Sequence, residues 1–115
     1  MVVLCLELHI RPCTYYNAGT IMQFVWDEEK NRRNLAKHKI SFETAKLVFE
    51  DPFAISRLDR IVDGEERWQI LGLIGAVVVV LVAHTYKEEE DEAIIRIISA
   101  RKATSHERRQ YEQSH

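Results

Sequence analysis

From Met22 onward the apolar residues fall into regular periods. Phe24 and Trp26 lie two apart, a short apolar entry. Asp27 follows as a helix N-cap, with Glu28 and Glu29 in the first turn, where carboxylates suit the helix dipole. This first helix is predicted to run to about His38. It is mostly polar, with Trp26, Leu35 and Ala36 as its anchors. Ser41 is a second N-cap. Phe42, Ala45, Val48 and Phe49 then recur at i, i+3, i+6 and i+7, one apolar face of a second helix. Asp51-Pro52 ends it, and a short Lys39-Ile40 joint links the two helices.

Beyond Pro52 the period shortens to two. Phe53–Arg60 reads as a strand, and Asp63-Gly64 is the strongest hairpin signal in the chain. Glu66–Leu73 alternates, with Trp68 and Ile70 on one face and Arg67, Gln69 and Leu71 on the other. Gly72 and Gly75 read as turn glycines. Ala76–Thr85 holds four consecutive valines, stiff side chains that favour a strand, and it is apolar enough to be central. Lys87–Glu92 carries five acids and one lysine and is expected to be a solvated loop. Ala93–Ala100 is the next strand, separating Ile94, Arg96 and Ile98 from Ile95, Ile97 and Ser99. Thr104 with Glu107 makes a capping box, which opens a last helix to about Gln113. The predicted order is α-α-β-β-β-β-α. That gives an α+β fold with two N-terminal helices, a four-stranded antiparallel sheet and a C-terminal helix.

Residues 1–21 break this order. They hold both cysteines, Cys5 and Cys13, and show no clear period. They read either as an N-terminal extension before a domain of residues 22–115, with Met22 as the natural start, or as an added edge strand, Val2–Ile10. The length of 115 residues suits one domain, and the 46% hydrophobic, 30% charged mix is that of a globular chain. Two cysteines make neither a disulfide framework nor a four-ligand zinc site. His38, His84 and His106 have no paired metal-ligand spacing, so neither a metal nor a cofactor is expected. The longest apolar run, Ile70–Ala83, has fourteen residues, short of the roughly 20 that a membrane helix needs. Met1–Leu8 lacks the positive flank of a secretory signal, and the expected compartment is the cytoplasm.

The net charge of -2 hides an asymmetry. Residues 87–92 sum to -4, one lysine against five acids, and residues 93–109 sum to +4, five bases against Glu107. Lys30, Arg32, Arg33, Lys37 and Lys39 add a further basic stretch. Such a chain can be acidic overall and still offer phosphates a basic face. What fits is metal-free RNA cleavage, which needs a base for the 2′-hydroxyl, cations for the phosphorane and an acid for the leaving oxygen. Glu66 and Arg67 begin a strand, His84 ends another, Arg101 ends the last, and Arg108 and Tyr111 share a helix face. Each also has a bland reading: a surface ion pair for Glu66 and Arg67, a satisfied edge histidine for His84, a solvated helix face for Arg108 and Arg109.

Several blocks occur together. Phe24-x-Trp26-Asp27-x-x-Lys30 with Asn34 is followed by Lys37-His38-x-Ile40-Ser41-Phe42-x-x-Ala45 and Val48-Phe49-x-Asp51-Pro52. His84-Thr85-Tyr86 leads to Ile95-Arg96-Ile97-Ile98-Ser99-Ala100-Arg101-Lys102-Ala103-Thr104 and Glu107-Arg108-Arg109-x-Tyr111-Glu112. From Met22 to about Gln113 the chain resembles the BrnT family of bacterial type II toxins. The resemblance implies a small RelE-like ribonuclease toxin that inhibits translation. It also implies a ribbon-helix-helix antitoxin of the BrnA type, a heterotetramer with it, and operator DNA bound only through that antitoxin. Carried over residue by residue, it marks Lys37, His38, Glu66, Arg67, Arg96, Arg101, Arg108 and Tyr111. Joined with the residue chemistry, the expected catalytic set is Glu66, Arg67, His84, Arg101 and Arg108, with Glu66 or His84 as the base. Lys37, His38, Arg96, Lys102, Arg109 and Tyr111 would hold RNA. Two positions depart from the family pattern: Lys39 stands where glycine is usual after Lys-His, and Lys87 where arginine is common. These departures support the rival reading, a catalytically inactive module that docks the antitoxin or another acidic partner. A DNA-binding regulator acting alone is disfavoured, because no helix-turn-helix pattern is present.

Overall fold

The computed structural model describes residues 21–76 and 78–114. In chain order these form β1 (Ile21–Val25), α1 (Glu28–His38), α2 (Phe42–Ala45) running into a 3-10 turn (Lys46–Glu50), β2 (Ile55–Val62), β3 (Glu65–Ile74), β4 (Val78–Glu89), β5 (Glu92–Lys102) and α3 (Ser105–Gln113). The strands make one sheet in the order β1-β5-β4-β3-β2. Strands β2 to β5 are the expected antiparallel run. The two cysteines and the proposed Val2–Ile10 strand lie outside the described residues.

The local chemistry accounts for most boundaries. Asp27 accepts from the amides of Glu29 and Lys30, and Ser41 from that of Thr44. Asp63 and Gly64 both have positive φ, 51° and 81°, as a two-residue hairpin turn matched to strand twist demands. Thr104 and Glu107 form the full capping box of α3.

Four expectations need correction. Among the described residues the sheet has five strands, not four, and is mixed: β1 pairs parallel with β5, Met22 opposite Ala93 and Phe24 opposite Ile95. This pairing joins residues about seventy positions apart and leaves no local period. The second helix is a single α turn that tightens into a 3-10 turn. Residues 87–92 are not one loop: Glu90 and Asp91 make a tight turn, and the rest belong to strands. Lys87, Glu88 and Glu89 continue β4 opposite Ile94, Ala93 and Glu92, so the backbone ladder carries charged side chains past the end of the core. Gly72 is not in a turn. It sits within β3 opposite Val80, and a Cβ there would lie 2.7 Å from Val48 Cγ1. The missing side chain lets the 3-10 turn pack down on the sheet.

The sheet lies between two unequal layers. On one face, α1, α2 and the 3-10 turn cover a core that includes Phe42, Val48, Ile70, Val82, Ile95 and Ile97. Phe24 meets Phe49 edge-on at 5.1 Å. Asn34 ties α1 to the sheet: its amide donates to the carbonyls of Ile40 and Ala100, both at 2.9 Å, and its oxygen accepts from the Ala100 amide. On the other face, among the described residues, α3 alone packs, over Leu71, Val79 and Leu81 through Tyr111. The first is the closed face and the second the open face. Among the described residues no helix is long and apolar enough to cross a membrane.

Candidate functional site

Arg96 and Arg101 are five residues apart, and regular alternation would send them to opposite faces of β5. A β-bulge prevents this. His84 pairs with Ile97 and Ala83 with Ser99, so Ile98 is an extra residue on β5. The alternation is reset there. Ala100 is buried in the closed-face core, while Ser99 and Arg101 turn to the open face. The expected grouping of Ser99 with Ile95 and Ile97 is thereby corrected. Strand β2 repeats the device: Leu58 pairs with Trp68 and Arg60 with Arg67, leaving Asp59 extra. Arg57 and Arg60, three apart, then share the open face.

Strand register places these residues in rows. Arg60, Arg67, Thr85, Arg96 and Val25 form one row across the sheet. Arg57, Gln69, Ala83 and Ser99 form the next. Ile55, Leu71, Leu81 and Arg101 form the third, beside α3. Directly opposed residues have Cβ atoms about 4.5–5.5 Å apart, and rows two residues apart are separated by about 6.6 Å. The middle of this surface is floored by small side chains, Ala83, Thr85 and Ser99. Beyond the first row a cleft of about 630 Å³ opens, bordered by Val25, Glu65, Thr85, Lys87, Ile94 and Arg96.

Carboxylates hold most of these cations. Arg96 Nη2 donates to Glu65 Oε1 at 2.8 Å. Arg67 Nε lies 3.6 Å from the same oxygen, near enough to feel its charge but too far to hydrogen-bond, and this buried nitrogen has no hydrogen-bond partner among the described residues. The bond from Arg96, with the charges of Arg96 and Arg67, holds the Glu65 carboxyl below its ordinary pKa. Arg101 grips Glu107 bidentately at 2.9 and 3.0 Å. That grip lowers the Glu107 pKa to about 2 and raises that of Arg101. Glu107 also accepts from the Thr104 amide at 2.9 Å, so one carboxylate both caps α3 and aims Arg101. Arg57 Nε instead donates to a neutral acceptor, Gln69 Oε1, at 3.1 Å.

The structure therefore brings Arg67, Arg96 and Arg101 onto one surface. Lys102 ends β5, and Arg108 and Arg109 stand exposed on α3, Arg108 reaching Ser105 Oγ at 3.5 Å. The other candidates lie elsewhere. Glu66 alternates away from Arg67 and accepts from Trp68 Nε1 at 3.1 Å. His84 is buried on the closed face, edge-on to Phe49 at 4.9 Å, with Nδ1 3.3 Å from the Val82 carbonyl. Lys37 and His38 end α1, in the helical layer of the closed face. Tyr111 is buried, and its hydroxyl donates to Asp51 Oδ2 at 2.6 Å. The same oxygen accepts from the Leu73 amide at 2.7 Å, so Tyr111 pins α3 to the sheet. Among the described residues no group of three or more His, Cys, Asp or Glu side chains gathers as metal ligands could.

Sequence reasoning passed over Arg57, Gln69 and Glu65. The alternation of Glu66–Leu73 does set Gln69 on the face of Arg67, and that is the signal for it. Nothing local signals the bulges that turn Arg57 and Arg101 onto the same surface.

Residues 26–107 match the family described as "Ribonuclease toxin, BrnT, of type II toxin-antitoxin system". Among solved structures, the 1.1 Å crystal structure of the Brucella abortus ribonuclease toxin, BrnT, is similar, with a TM-score of 0.51. The two are 22% identical over 73% of this chain and 99% of that chain, a likeness of fold. No curated protein matches.

Proposed function

The chain belongs to the BrnT family of ribonuclease toxins of type II toxin-antitoxin systems, and from that premise we propose a metal-independent endoribonuclease whose RNA lies on the open sheet face. The observation that carries this reading is the pair of bulges, which turn Arg57, Arg60 and Arg101 to the side of Arg67 and Arg96. Cleavage by attack of the 2′-hydroxyl on phosphorus concentrates negative charge on the phosphorane. Arg67, Arg96 and Arg101 are the groups to stabilise it, since fixed cations on a rigid sheet need no reorganisation as that charge develops. Arg108, Lys102 and Arg109 extend the positive field on the α3 side. Glu65 is the carboxylate beside Arg67 and Arg96 on this face. Kept ionised by its arginines, it is a weak proton acceptor and serves mainly to aim them, so the rate rests on charge stabilisation and alignment more than on a strong base.

In this reading the cleavage takes place in the cytoplasm and inhibits translation. Membership of a type II family brings an antitoxin partner. We assign it as a ribbon-helix-helix protein of the BrnA type, forming a heterotetramer that neutralises the toxin and binds operator DNA. The test is induction of the chain with and without the adjacent antitoxin gene, following growth and total RNA. Arrest with RNA breakdown, relieved by the antitoxin, is expected. Normal growth and intact RNA from folded protein would overturn the enzyme reading.

One observation favours the second reading, an inactive module that docks its partner. Neither Glu66 nor His84 lies on the arginine face, and Arg67, Arg96 and Arg101 already face carboxylates. In that case the freed chain binds antitoxin, and growth and RNA stay unchanged.

A further inference from the structure

Arg57 differs from the other arginines of the open face. Arg60 pairs with Asp59, Arg67 and Arg96 with Glu65, and Arg101 with Glu107. Arg57 is exposed and makes no ion pair among the described residues; its Nε is held by the Gln69 amide oxygen at 3.1 Å. A neutral acceptor orients the guanidinium without cancelling its charge, and it leaves both Nη groups to grip a phosphate bidentately. Register sets Arg57 one row from Arg67 and Arg96 toward α3, a step of about 6.6 Å. That step is of the same order as the separation of successive phosphates along an extended single strand. The row between is floored by Ala83 and Ser99, which leave room for a backbone to cross.

We propose that Arg57, oriented by Gln69, binds the RNA phosphate next to the one held by Arg67 and Arg96. This assignment rests on the reading of the open face as the RNA site. RNA then runs across the sheet toward the foot of α3, and Arg57 contributes affinity, not chemistry.

The test measures binding of a short 2′-O-methyl oligoribonucleotide, which cannot be cleaved, to antitoxin-free wild type, Arg57→Ala, Arg57→Lys and Arg67→Ala over a range of salt. For Arg57→Ala the slope of log affinity against log salt is expected to fall by about 0.7–1, the loss of one phosphate contact. Arg57→Lys keeps most of the slope. In cleavage assays Arg57→Ala raises KM and leaves kcat close to wild type. Should the alanine variant unfold, Arg57→Gln, of similar length and uncharged, replaces it in the same comparison. Arg57→Ala binding like wild type while Arg67→Ala weakens would overturn this inference alone. A wild-type chain that binds no RNA would overturn it together with the reading it rests on.

Discussion

The two faces of the sheet are built from the same strands and have become opposite environments. On the closed face, Ile70, Val82 and Ile95 are fully buried under α1, α2 and the 3-10 turn. On the open face, α3 covers one end, and the rest carries Arg57, Arg60, Arg67 and Arg96 over a floor of small residues. Neighbours in sequence fall on either side. Glu66 faces one way and Arg67 the other; His84 is enclosed beside Phe49, while Thr85 floors the cleft. In a sheet, adjacency in sequence says little about a shared site, and the bulges decide which charges meet.

The contrast predicts which substitutions cost stability and which cost activity. The largest effect belongs to the closed face. Ile70→Ala removes a fully buried side chain and is expected to destabilise the fold by about 2–5 kcal/mol in denaturant titration. Cleavage per folded molecule should be unchanged. Next comes Arg101→Ala on the open face, with RNA cleavage falling about 100- to 1000-fold and a much smaller loss of stability. A variant that unfolds but keeps its activity per folded molecule would erase the distinction between the faces at this residue.

A smaller effect concerns acid. Glu107 has a pKa of about 2 in the folded chain, against 4.5 unperturbed. A depressed carboxylate contributes stability that is fully present above the unfolded value and is lost as pH falls through the folded one. Its partner Arg101 is partly exposed, so solvent screening reduces the contribution to about 1–2 kcal/mol. Unfolding titrations of wild type should therefore show this loss between about pH 4.5 and 2. Glu107→Gln, which keeps a capping side chain, should show a shallower dependence over the same range.

The smallest effect sits at the α1–α2 joint. Lys39 has φ of 64°, a left-handed conformation that suits glycine better than lysine. Lys39→Gly should raise stability by up to about 1 kcal/mol, read as a higher melting temperature, and leave RNA cleavage alone. A glycine at this place would relieve the backbone, and the lysine holds the turn without that relief.

Much of this fold was legible because its signals are local. Asp27, Ser41 and Thr104 mark helix starts, Asp63-Gly64 marks the hairpin, and the valine run marks the central strand. Strand β1 was not legible, since five residues of mixed character gain their pairing from the distant β5. The length of β4 is not legible, because a charged run reads as a loop, whereas a hairpin ladder tolerates charged side chains on exposed strand ends. The same limit applied to the candidate site. Arg67, Arg96 and Arg101 are each legible one by one, but Arg101 joins the other two only because Ile98 is an extra residue, and Arg57 joins Arg60 only because Asp59 is, which periodicity cannot show. His84 and Tyr111 read as functional from their chemistry, and burial has given both packing contacts.

The most direct measurement is a backbone amide shift map of the antitoxin-free chain titrated with an uncleavable oligoribonucleotide. The perturbed amides are expected to cluster on the open face, at Arg57, Arg67, Thr85, Arg96, Ser99 and Arg101, while those of α1 stay in place. Shifts centred on Lys30–Lys39, with the arginine rows unmoved, would contradict it.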